Sequence, residues 1–276
     1  MQRKIILNLI LLLAVAALGV FLVNTGEEPE KKIIPLTSIA PETIRHIDIK
    51  RKDKGNISFR KIGDAWFMTA PLQVRANEYR INAMLQLLQT PSFIRLSTEG
   101  LDLSRFDLAP PAVSLEENGQ EFFFGGTNPL EGRRYLMRGS VVHLIRDDLY
   151  PQLQQGPEFF ISPQLVPEDT LLQSIELPGH TFTFLNNHWT GTDDTQITED
   201  VLQRLVSAWQ SAQATRIEQL QPTDSLGEVI IYTRTGEVMH FGIQQRKPVL
   251  KLARMDLGIT YTIPAETASN LFPVDN

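Results

Sequence analysis

The chain has 276 residues, 42% of them apolar, with 26 Lys+Arg against 32 Asp+Glu and a formal net charge of −6. That length holds one large domain or two small ones with their own cores, and an acidic excess without a basic cluster argues against nucleic acid as a partner, because phosphate neutralisation needs a Lys/Arg face. The absence of cysteine excludes a disulfide framework, a thiolate metal site, a cysteine nucleophile and a lipidated cysteine.

Residues 1–4 contain Arg3 and Lys4, and residues 5–23 form an apolar run whose one clearly polar member is Asn8. At about 1.5 Å per residue a helix over this run reaches about 28 Å, close to the hydrocarbon thickness of a bilayer. Ala14-Val15-Ala16 has the small-x-small form of a signal-peptide cleavage site, but Ala17 to Val23 continues the apolar run beyond it, so the run reads as a retained transmembrane anchor. Basic residues before it and Glu27, Glu28 and Glu30 after it place residues 1–4 in the cytoplasm and the remainder across a bacterial inner membrane, in the periplasm. Asn8, Ala14, Ala17 and Gly19 are the candidate contacts to neighbouring membrane helices. Residues 24–42, with Gly26, Pro29, Pro35 and Pro41, read as a tether.

Beyond the tether two stretches, 43–155 and 171–276, follow one plan on either side of a connector at 156–170. Ile47 and Ile49 lead through a polar turn to Ile57-Ser58-Phe59, with Trp66 closing the second strand; Ile175 and Leu177 lead through Pro178-Gly179 to Phe182-Thr183-Phe184 and Trp189. Each alternates as a hairpin with one buried face does. Helices follow at Ala76 to Gln89, with Ile81, Met84, Leu85 and Leu88 on one stripe, and at Thr198 to Gln213, with Leu202, Leu205, Val206 and Trp209. Thr198 suits an N-cap. A second hairpin turns at Glu117-Asn118-Gly119 in one stretch and Thr235-Gly236 in the other; two more short strands and a short helix finish each. The expected fold is α+β, a transmembrane helix followed by two tandem repeats of mostly antiparallel sheet, each with a packed helix, in the order β-β-α-β-β-β-β-α.

Side chains that carry chemistry do not gather. His46, His143, His180, His188 and His240 lack metal-ligand spacing, and Asp193, Asp194 and Glu199 lack the alternating oxygens and central glycine of a calcium loop. Gly125-Gly126-Thr127-Asn128-Pro129 has neither the lysine nor the following helix of a phosphate-binding loop and reads as a strand-connecting turn. No Gly-x-Ser-x-Gly elbow or Ser-x-x-Lys pair is present. No catalytic, cofactor-binding or metal-ligating residue is assigned, and no enzyme activity or cofactor is expected. Trp66, Trp189 and Trp209 read as core over groove; Arg133 and Arg134 beside Tyr135, with Arg138, form a compact basic group on a solvated strand face. With Pro71 these are the candidate interaction residues.

The series Trp66-Phe67-Met68-Thr69-Ala70-Pro71, then Phe106-Asp107-Leu108-Ala109-Pro110, then Gly125-Gly126 and Gly132-Arg133-Arg134-Tyr135 resembles a bacterial family of membrane-anchored proteins of unknown function. The likeness is good over about 43–150 and faint in the second stretch. That family shows glycine where this chain has Asp107. Its genes often lie beside a gliding-type ABC exporter and its auxiliary extracytoplasmic subunit, so the resemblance implies a non-catalytic, membrane-anchored periplasmic accessory or scaffold subunit with an ABC permease and that auxiliary subunit as partners. The alternatives are a periplasmic binding module for cell-envelope polymer or lipid, marked by an aromatic-lined cleft, and an envelope hydrolase, marked by convergent titratable groups.

Overall fold

The computed structural model describes Val15 and residues 34–130, 132–168, 170–191 and 198–272. The anchor run and its candidate contacts Asn8, Ala14, Ala17 and Gly19 lie outside these residues, as do Asp193 and Asp194. Among the described residues no helix is long and apolar enough to cross a membrane.

The fold begins with β1 (Ile34–Pro35), followed by a meander of β2 (His46–Arg51), β3 (Lys54–Ile62) and β4 (Ala65–Ala70), then β5 (Val74–Arg75), α1 (Glu78–Leu85), β6 (Pro91–Ser92) and β7 (Ile94–Ser97). Strands β8 (Val113–Glu117), β9 (Gln120–Thr127), β10 (Arg134–Arg138) and β11 (Val141–Ile145) lead to α2 (Tyr150–Leu153). The second half runs β12 (Leu172–Leu177), β13 (His180–Leu185), β14 (His188–Gly191), α3 (Glu199–Ser211), β15 (Arg216–Gln219), β16 (Glu228–Thr233), β17 (Val238–Gln245), β18 (Leu250–Arg254), β19 (Ile259–Ile263) and α4 (Ala265–Leu271). One sheet has the order β5-β4-β3-β2-β8-β9-β10-β11-β7, the other β14-β13-β12-β16-β17-β18-β19-β15, and β1 pairs with β6 apart from both. Neighbouring strands are antiparallel, as in β2 with β3 and with β8 and in β12 with β13 and with β16.

Once β5 is set aside, the two sheets have the same strand order. Their registers also correspond. Ile47 lies between Phe59 and Glu117, and Ile175 lies between Phe182 and Ile231. Phe59 faces Met68 and Phe182 faces Gly191, with Trp66 and Trp189 each two residues earlier on the outer strand of the meander. Each half is therefore three strands, a helix, five strands and a helix, with β1, β5 and β6 added in the first. Each half thus has two strands more than expected: the third of the meander, set off in the first half by the turn at Gly63 and Asp64, and β7 or β15, which follows the helix and pairs at the far edge of its sheet.

Local chemistry accounts for the elements. Ile47 and Ile49 are fully buried while His46, Asp48 and Lys50 line the other face, the period-two pattern of a strand with one dry side. Asn118 and Gly119 take φ values of 47° and 81°, the doubly left-handed pair that a two-residue hairpin needs. Asn77 caps α1, its side chain accepting from the amides of Tyr79 (3.1 Å) and Arg80 (3.4 Å), and α1 gives way after Leu85 to a 3-10 turn at Gln86–Gln89. Thr198 precedes α3, but its side chain makes no capping hydrogen bond, so the expected cap is not formed. Asp107 has φ 55°, which explains the glycine of the resembling family there: this left-handed backbone is open to glycine and tolerated by aspartate.

The end of the tether and the connector are both part of the core. In the tether, Leu36 and Thr37 are buried, and Thr37 donates to the Leu88 carbonyl. In the connector, Phe160, Ile161, Leu165 and Val166 are buried, and Phe160 sets its ring 5.7 Å from Phe59. Ile161 bridges Ala76, while Gln164 bridges Gln213. One apolar cluster thus runs from Leu36 to Phe272 through both sheets.

Candidate functional site

The seam made by the connector leaves a cleft of about 500 Å³ between the halves. Phe67, Val74 and Arg75 contribute from β4 and β5, Gln164 and Thr170 from the connector, and Glu237, Arg254, Asp256 and Tyr261 from the second sheet. Arg254 continues the inward row of Leu250 and Leu252, which carries its guanidinium 5.3 Å over the Phe241 ring. Asp256 meets it with two hydrogen bonds, from Nε at 2.9 Å and Nη2 at 2.8 Å. Burial lowers the arginine's pKa, but the hydrogen bond and charge of Asp256 outweigh it and hold the guanidinium above its ordinary value; the same hydrogen bond holds the carboxyl below its own. Burial pushes the Tyr261 hydroxyl up to about 12, so it stays protonated. Arg75 contacts Glu78 at 3.3 Å. A neutralised ion pair, a protonated phenol, amides and hydroxyls suit the holding of a polar chain or group by hydrogen bonds.

The tryptophans stand elsewhere. Trp66, Trp189 and Trp209 are 4%, 8% and 0% exposed, and the Trp209 indole donates to the Leu271 carbonyl at 3.2 Å. They fill the cores, and the cleft takes its aromatic surface from Phe67 and Tyr261. Pro71 follows β4 at an exposed position. The basic group at 133–138 is not a solvated strand face. Arg134 is buried, donates to both carboxylate oxygens of Asp147 (2.8 and 2.7 Å) and to the Gly125 carbonyl, and stacks 3.6 Å over Tyr150. Arg133 lies 3.8 Å over the Phe93 ring, and Tyr135 meets Phe106 edge to face at 4.8 Å. Nor is the glycine segment a turn throughout: Gly125, Gly126 and Thr127 end β9. Glycine is required at 125 because a Cβ there would lie 2.3 Å from the Phe106 carbonyl oxygen and 2.9 Å from Leu108.

Two polar clusters resemble catalytic sets without their geometry. His46 Nε2 lies 2.7 Å from Asp48, whose other oxygen accepts from Ser58, so the carboxylate sits between imidazole and hydroxyl; a triad needs the imidazole in the middle. Ser92 Oγ lies 2.8 Å from His143 Nδ1, but burial, with Arg95 and Arg138 adding to it, lowers that imidazole to about 4, far from the poise of a general base. Among the described residues no group of three or more His, Asp or Glu side chains is placed to hold a metal ion.

Glu117 is the least expected residue. Its side chain points inward from β8, is fully buried, and neither carboxylate oxygen has a hydrogen-bond partner; burial raises it to about 8. Beside Asn118-Gly119 it reads in sequence as a turn residue, and the inward alternation of Val113 and Leu115 is the signal that places it in the core. The cleft residues carry less signal still, since Arg75, Gln164 and Arg254 come together through the fold alone.

A family model described as "Domain of unknown function (DUF4340)" matches residues 66–225, a span that contains both Trp66 and Trp189. No curated protein and no solved structure matches the chain.

Proposed function

The chain belongs to the DUF4340 family, and we propose that it is a non-catalytic accessory or scaffold subunit, anchored in a bacterial inner membrane by residues 5–23, with its two sheets in the periplasm. The observation that carries this reading is the matched order and register of the two sheets around one buried connector. That arrangement reads as a tandem duplication, a rigid doubled platform suited to holding partners. Its partners are an ABC-type exporter's permease, met by the anchor through Asn8, Ala14, Ala17 and Gly19, and an auxiliary extracytoplasmic subunit, met by the sheets. No step of chemistry is assigned to the chain, and any energy comes from the partner ATPase.

The test is a mild-detergent pull-down of the intact chain with identification of co-purifying membrane proteins. Recovery of an ABC permease supports the reading; consistent failure to recover any ABC component defeats it. A second reading, a binding module for envelope polymer or lipid, draws on the cleft at the seam. Since Phe67 and Tyr261 are its aromatic surface, it suits a polar strand more than a stacked sugar.

A further inference from the structure

The edge strand β7 is apolar where its counterpart β15 is polar. Register carries the correspondence across each sheet: Phe124, Leu136, His143 and Arg95 lie abreast in the first, and Ile243, Leu252, Tyr261 and Ile217 in the second. Ile94 and Leu96 therefore stand where β15 has Arg216 and Glu218, an exposed ion pair at 3.4 Å, and their partners Leu144 and Val142 stand where β19 has Thr262 and Thr260. The second sheet has the charged edge usual for a strand in water, whereas the first ends in aliphatic side chains. Further apolar groups collect at one end of β7. Ile34 pairs with Ser92, one residue from Phe93, and the Arg133 guanidinium lies 3.8 Å over the Phe93 ring. Arg133 closes the loop between β9 and β10, in which the Asn128 amide donates to the Arg133 carbonyl at 2.7 Å and the Asn128 side chain accepts from the Leu130 amide at 2.9 Å, so Leu130 stands at the tip. Ile34, Phe93 and Ile94 are 47%, 40% and 40% exposed and Leu130 is 92% exposed, which gathers apolar surface at one corner of the fold.

We propose that this corner, formed by Ile34, Phe93, Ile94 and Leu130, docks on the lipid surface of the membrane that holds the chain. The inference rests on the reading of residues 5–23 as a spanning anchor. The point of entry of the chain selects lipid over other occupants. Residues 24–33 join that run to Ile34, and these ten residues reach at most about 35 Å when fully extended. Ile34 is both the end of this tether and a member of the corner, so the tether holds this part of the fold at the membrane. Four apolar side chains alone bind a bilayer weakly, but a short tether makes the contact effectively intramolecular, and a weak contact then suffices. The four side chains carry no charge, so zwitterionic lipid is enough. Contact is shallow: β7 is the last strand of its sheet, and the backbone groups on the outer side of an edge strand need water or headgroups, which hydrocarbon does not offer. Docking fixes the angle at which both sheets stand over the membrane.

The test uses the full chain, one copy per phosphatidylcholine nanodisc, with no other protein present. Because the chain has no cysteine, Leu130→Cys carries a single environment-sensitive fluorophore at the tip of the loop. Met255→Cys, also well exposed but on the second sheet, carries the same fluorophore as the control for its own attraction to lipid. The expected result at 130 is a blue shift and loss of emission to lipid bearing a nitroxide near the headgroup, greater than the loss to a nitroxide near the chain end, with neither effect at 255. Phe93→Asp and Ile94→Asp, made separately at exposed positions, should each reduce the loss at 130. A label at 130 quenched no more than one at 255, or quenching undiminished in both aspartate variants, overturns the proposal; so does a blue shift without lipid quenching, which marks contact between protein surfaces. Val15→Cys separates this outcome from that of the anchor. Quenching at 15 by the chain-end nitroxide with none at 130 defeats the docking alone, whereas a label at 15 that no lipid quenches defeats the anchor reading and the docking with it.

Discussion

Glu117 sets the pH behaviour of the molecule. Its carboxyl ordinarily loses its proton near 4.5, but in the fold it holds it to about 8. Between these values the unfolded chain is ionised and the folded one is not, so stability falls as pH rises, by about 1.4 kcal/mol per pH unit. Glu117→Ile, which installs the residue found at the corresponding place in the second sheet, is expected to add roughly 3 to 5 kcal/mol at pH 8 and far less at pH 4.5 in urea unfolding. An equal gain at both values would show that the carboxyl is ionised in the fold. His143 acts in the opposite direction. Its imidazole is held neutral down to about 4, so its contribution is lost as pH falls from about 6.5 towards 4. At Trp209, which is wholly buried with its indole N–H satisfied, alanine is expected to cost about 3 to 5 kcal/mol in the same assay.

At the scale of elements, the legible parts of the fold were those with a strict period. The alternation of Ile47 with Ile49 and of Val113 with Leu115, and the stripe Leu202, Leu205, Val206 and Trp209, reveal strands and helix because each has one dry face and the spacing follows from it. What stayed hidden depends on contacts across the chain. The turn at Gly63 and Asp64 moves the inward row from the odd positions Ile57 and Phe59 to the even positions Trp66 and Met68, a break of phase that a reading by composition alone passes over; Arg134 reads as solvated because its partners, Asp147 and Tyr150, belong to another segment. The cleft was illegible for the same reason, and the second half's corresponding order was visible chiefly through the shared spacing of Phe and Trp. Capping divides the two main helices. Asn77→Ala should cost about 1 kcal/mol because two amides lose their acceptor, whereas Thr198→Ala should cost a few tenths, there being no capping bond to lose. Thermal melts of the pair check this, and equal losses would mean that Thr198 caps in solution.

At the scale of the whole molecule, topology and partner choice can be separated. A reporter active only outside the cytoplasm, fused after Asn276, should be active if residues 5–23 span the membrane as proposed. Exchanging that run for an unrelated spanning helix of equal length should lower recovery of the ABC permease in the pull-down; undiminished recovery would confine the contact to the sheets. The connector has its own consequence during synthesis, when the chain emerges from its N-terminus onward. The edge of β5 is closed by residues made much later: Asn77 donates to the Phe160 carbonyl at 2.7 Å, and Ser162 donates to Arg75 at 2.9 Å. Phe160 also covers Phe59. A nascent chain that has reached residue 155 therefore lacks the residues that close this edge and pack on Phe59. The same stretch, through Leu165 donating to Ala212 and Ala214 to Pro163, then waits as the first seed of the half still to be made.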